Sequence, residues 1–83
     1  MRATELLPDN LDQGDFKGVA VRKGTVGAFI VNARTLAAPS ITAQARAEAE
    51  RDIIEALPAL RALGLFDVLE VRNEALRAFV DAN

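Results

Sequence analysis

Apolar positions recur at helical spacing along most of this chain. Val26, Phe29, Ile30, Ala33 and Ala37 follow the i, i+3, i+4, i+7, i+11 series of a single helix face, which predicts a first helix over 26–37. Thr25 is its predicted N-cap, since the hydroxyl can accept a bond from the amide of Gly27 or Ala28, and Pro39 stops it by Ala38. A rival reading folds Val19–Arg22 and Thr25–Val31 into a hairpin around Lys23-Gly24, but the helix has the better period.

A second helix is predicted over 41–57, capped by Ser40. Ile41, Ala45, Ala49, Ile53 and Leu57 form its apolar stripe, and Arg46, Glu48, Glu50, Arg51, Asp52 and Glu55 cover the rest. Pro58 lacks an amide hydrogen and its ring opposes the carbonyl of Ile54, so a kink or restart is expected there. A short piece over 59–63 then runs to Gly64. The last helix is predicted over 73–81, capped by Asn73 and buried through Leu76, Phe79 and Val80.

Spacing of two is rarer. Val19 and Val21 predict a strand over 16–22, and the mixture of β-formers in Leu65–Val71 predicts a second near 66–71, with a helical turn at Leu65 and Phe66 as the alternative. Residues 1–15, with Pro8, Asn10, Gly14 and aspartates at 9, 12 and 15, read as an irregular arm. The expected architecture is a single α+β domain over 16–83, dominated by helices around a two-stranded sheet; a nearly all-α arrangement is the alternative. The sheet's free edge offers a place for a second subunit.

Composition narrows the chemistry. The 83 residues contain no His, Cys, Tyr or Trp. A His/Cys metal site, a Ser-His or Cys-His pair and an imidazole general base are therefore excluded. The expectation is a protein without catalytic residues, metal or cofactor. A net charge of −2 with acids and bases interleaved gives no field favouring nucleic acid or an anionic membrane. The longest uncharged runs, 24–33 and 35–45, are too short to span a bilayer, and the first residues lack the apolar stretch of a signal peptide. Cytoplasmic placement is the expectation. Hydrophobic content of 51% in so short a chain points to a homodimer.

Four constellations invite a functional reading. Asp9, Asn10, Asp12, Gly14 and Asp15 resemble a calcium loop, but with Gly14 at the sixth position Leu11 falls third, Gln13 fifth and Ala20 twelfth, so a solvated turn is the better account. Gly18 to Thr25 has the wrong spacing for a phosphate loop. What survives is a candidate anion site at Arg22, Lys23, Gly24 and Thr25, two cations and a glycine beside a helix N-terminus. Asn32 and Arg34 are candidate partner contacts, although an asparagine facing water is the better account of position 32. Asp67 and Glu70 would need burial and a cleft to act as acid and base, and the sequence supplies neither. The helix-bend-helix over 40–64 is not a DNA reader, because 58–63 carries one arginine and no other base-reading group.

Gly24-Thr25-Val26 with Asn32 six residues on, and Ala56-Leu57-Pro58-Ala59-Leu60 leading to Gly64-Leu65-Phe66-Asp67, resemble a group of small bacterial proteins of unknown function, over roughly residues 16–70. The resemblance implies a compact bacterial domain and carries over no activity or site residue. The leading functional expectation is a non-enzymatic interaction or accessory module that binds a protein partner through an exposed apolar patch or sheet edge. A binder of, or enzyme for, a small anionic ligand at Gly24-Thr25 is the alternative.

Overall fold

A computed structural model describes residues 1–6 and 13–83, without the side chains of Ala3 and Thr4. Its elements are α1 (Ala3–Leu6), β1 (Gln13–Phe16), β2 (Val19–Arg22), α2 (Thr25–Ala37), α3 (Ala43–Leu63), α4 (Leu65–Val68) and α5 (Glu74–Ala82). The fold is α+β and helix-dominated, with one two-stranded antiparallel sheet.

The strand expected over 16–22 is instead the turn and second arm of a hairpin. Gln13 pairs with Arg22 and Phe16 with Val19, so Lys17 and Gly18 form the two-residue connection. Both have positive φ, 53° and 80°, the condition for the tight turn whose twist matches the strands it joins. Residues 13–15, read as part of an irregular arm, are therefore strand. The rival hairpin around Lys23-Gly24 does not form, because α2 occupies 25–37. Alternation places Val21 in the core and half-buries Phe16 and Val19, and the sheet lies against α3.

Helix α2 begins one residue earlier than expected. Gly24 takes φ 86°, its carbonyl accepts from the Ala28 amide at 2.8 Å, and Thr25 becomes the first helical residue instead of the cap. The Thr25 hydroxyl turns back and donates to the Arg22 carbonyl at 2.7 Å. The helix ends at Ala37, ahead of Pro39, as its sequence requires.

Helix α3 is the central element. Its cap is Thr42, whose Oγ1 accepts from the Ala45 amide at 3.1 Å, so Ser40 and Ile41 precede the helix. Of the kink or restart expected at Pro58, the restart is absent: one helix runs through it to Leu63. An interior proline costs about 3 kcal/mol relative to alanine. The opposing gain comes from Ile53, Leu57, Ala59 and Leu60, buried on both sides of the proline, while Pro58 itself faces solvent. Gly64, at φ 83°, closes the helix with its amide on the carbonyls of Arg61 and Leu60.

The predicted strand near 66–71 is replaced by α4. The left-handed Gly64 launches a new turn, with the Asp67 amide on the Gly64 carbonyl at 3.1 Å and the Leu69 amide on that of Leu65 at 2.9 Å. Leu65 and Phe66 are thereby packed on the core, the outcome anticipated by the helical-turn alternative. Asn73 then caps α5 as expected, accepting from the Leu76 amide at 2.9 Å. The core cluster is Phe29 from α2, Ile53, Leu57 and Leu60 from α3, and Val80 from α5. Phe29 and Phe66 meet edge to face with centroids 5.8 Å apart.

Candidate partner-binding groove

The five-residue stripe that defines α2 in the sequence does not all reach the core. Phe29 is buried, whereas Ile30 remains 51% exposed. The cause is geometric. A stripe at i, i+3, i+4, i+7 spans a wide arc of the helix, and α3 covers only the side carrying Phe29 and Leu36. The rest of the arc faces the segment that follows Gly64. Between the two lies a groove of about 380 Å³. One wall is Val26, Phe29, Ile30, Ala33 and Ala37; the other is Leu65, Phe66, Leu69, Val71 and Leu76. Leu69, on the second wall, is 59% exposed. Val31 and Val68, the chain neighbours of Ile30 and Leu69, are 63% and 82% exposed.

Arg34, Glu70, Arg72 and Asn73 supply the polar margin of the groove. Glu70 accepts from Arg77 Nη1 at 2.7 Å, a surface pair that ties the extended residues 69–72 to α5. Such a pair is worth about 0–1 kcal/mol, so it orients the wall more than it stabilises the fold. No polar or charged side chain is buried among the described residues. The groove floor is therefore hydrocarbon, suited to apolar groups and without the fixed donors that select a small polar ligand.

The expected partner contacts separate. Arg34 stands on the groove margin, but Asn32, half-buried, is not part of its lining. Positions two apart on a helix point to nearly opposite sides, so the pair cannot act as one surface.

Arg22, Lys23, Gly24 and Thr25 do come together, around a recess of about 440 Å³. Its other walls are Leu6, Phe16, Val21, Val26, Gly27 and Leu63, which are apolar, and the Thr25 hydroxyl is already donating to Arg22. Asp67 and Glu70 share a third and larger cleft, about 570 Å³, with Arg61, Arg77 and Asp81. Both carboxylates are exposed. The arginines there serve the fold: Arg61 donates to the carbonyls of Val80 at 3.0 Å and Asn83 at 3.3 Å, at the C-terminus of α5 where positive charge is favourable. Among the described residues no acidic group is arranged to hold a metal ion; the calcium-like segment lies partly outside them, since 7–12 are not described. No helix among them is long and apolar enough to cross a membrane.

Sequence reasoning missed the groove itself. Its signal was present in the adjacent pair Ile30-Val31: neighbours on a helical turn diverge by about 100°, so a single core face cannot take both. No protein-family model, curated protein or solved structure matches this chain.

Proposed function

We propose that this chain is a non-enzymatic protein-interaction module that works through the groove between α2 and the segment after Gly64. The observation that carries the reading is the double apolar wall, whose lining residues Ile30 and Leu69 are 51% and 59% exposed. Leaving these two large apolar side chains in water forgoes roughly 1.5–3 kcal/mol for each that a partner could bury fully. Their placement on the two apolar walls of one concavity, with a charged margin, is the arrangement of an interface core and rim. A small-anion site at Arg22, Lys23, Gly24 and Thr25 is the second reading, and it has less support. Its recess is mainly apolar, and the hydroxyl that would meet the anion is spent on a backbone carbonyl.

The test is positional. A photo-crosslinking residue placed at Ile30 in living cells is expected to give a discrete covalent protein adduct, which Leu69→Asp in the same chain abolishes. The same residue at Asp52, on the exposed side of α3, is expected to give none. Equal adduct yields at the two positions, or none at Ile30, would remove the proposal.

A further inference from the structure

We infer that the occupant of this groove is a short amphipathic acidic segment of another protein, its apolar side chains on the floor and its carboxylates on Arg34 and Arg72; the inference rests on the groove being a protein-binding surface. Charge at the margin selects this chemistry. Arg34 stands on the α2 wall and Arg72 on the facing wall, both exposed. Among the described residues neither guanidinium has an ion-pair or hydrogen-bond partner. The acid of the margin, Glu70, is already neutralised by Arg77 at 2.7 Å, and Asn73 spends its Oδ1 on the Leu76 amide, which leaves its Nδ2 group to donate. The polar side-chain groups left over at the margin are therefore donors, and the guanidinia carry full positive charge.

The surplus of positive charge is local. The whole chain carries a net charge of −2, so unpaired cations on both walls of an apolar groove do not follow from a basic composition. They also stand toward one end. Arg34 lies in the last turn of α2, and Asn73 and Leu76, which follow Arg72, share a recess with Ala33 and Ala37 of the same half of that helix. The groove thus runs from a hydrocarbon end, where Val26 and Ile30 face Leu65 and Leu69, to a cationic end. A matching segment carries apolar anchors at one end and acids toward the other, the side-chain pattern by which amphipathic segments dock in helix-lined grooves. Arginine suits the second role, because its planar fork takes a carboxylate through two parallel bonds and is weakly hydrated. Shape favours a chain segment over a small carboxylic acid. Ile30 and Leu69 remain 51% and 59% exposed, so the groove is an open trough, whereas small-molecule sites bury about 70–90% of their ligand.

The experiment is a selection of displayed random dodecapeptides on the full chain. Recovered sequences are expected to combine Leu, Ile or Phe with several Asp or Glu, and a synthetic copy of one is expected to lose affinity as salt is raised. Arg34→Glu and Arg72→Glu are each expected to weaken that peptide by about tenfold, mainly through slower association, and Ile30→Asp is expected to remove binding. Arg51→Glu, an exposed position on α3 that is not part of the groove, changes the net charge equally and leaves the affinity unchanged, with circular dichroism confirming that all four variants fold. Neutral or basic sequences, no peptide sensitive to Ile30→Asp, a loss with Arg51→Glu equal to that of the margin variants, or displacement of the peptide by dodecanoate at equal concentration overturns the inference. The cross-link at Ile30 separates this failure from that of the interaction reading. An adduct retained when Arg34→Glu and Arg72→Glu are combined leaves the interaction reading standing without an acidic partner; the lack of any adduct removes both.

Discussion

At the residue scale, the ends of the helices are set by short polar side chains. Which one does the work depends on where the backbone turns. Asn73 and Thr42 each hold an otherwise unpaired amide, at 2.9 and 3.1 Å. Asn73→Ala and Thr42→Ala are each expected to cost about 1 kcal/mol, read as a lowered urea midpoint with unchanged slope. Ser40→Ala is expected to change the midpoint by less than about 0.5 kcal/mol, the usual scale of a surface substitution away from special features. Ser40 looked like the cap in the sequence because it directly precedes the apolar Ile41. The structure moves the cap two residues on, because residues 38–42 complete the connection from α2 before α3 starts. Asn73 was legible outright: it precedes an acidic first turn and a strongly amphipathic run, and no second polar candidate competes with it.

At the element scale, α3 and the residues after it show tertiary packing overriding local preference. Pro58 predicts a kink or restart, and the helix continues through it with Ile53 and Leu57 before it and Leu60 after it all buried in the same core cluster. Pro58→Ala is accordingly expected to stabilise the protein by about 1–2 kcal/mol, as regained helix propensity exceeds the entropy that proline removes from the unfolded chain. Thermal unfolding checks it; a lower melting temperature would mean that the proline is needed for the path of α3. The hairpin is the opposite case. Its sequence contains the alternation at Val19 and Val21, but the turn sits on Lys17, a non-glycine residue with φ 53°, so the usual Asn-Gly type of signal is missing.

At the scale of the whole molecule, stability is concentrated in few residues. Ile53, Leu57 and Leu60 are at most 1% exposed and join α2, α3 and α5 through one cluster. Leu57→Ala is expected to cost about 2–5 kcal/mol. For a chain of this length total stability is on the order of 4–12 kcal/mol, so the variant should be substantially unfolded at elevated temperature, as far-ultraviolet circular dichroism would show. A melting temperature within a few degrees of the parent would mean that α2 and α5 collapse onto the vacated space. The same economy of core explains the groove: α3 has surface enough to cover one side of α2, and the remaining apolar arc is left partly exposed.

By itself the sequence determined the helix-dominated α+β class, α2 and α5 to within a residue at each end, the buried Ala49, Ile53 and Leu57 of the α3 stripe and the lack of imidazole and thiol chemistry. These follow from periodicity, caps and side-chain inventory, which are local properties. Only the tertiary structure decided that Leu65–Val68 is a turn of helix and not a strand, that Pro58 is bridged, and that Ile30 and Leu69 face each other across an open apolar groove. Each of these depends on which surfaces α3 can cover at once, a competition among distant segments for one core that no window of local sequence contains.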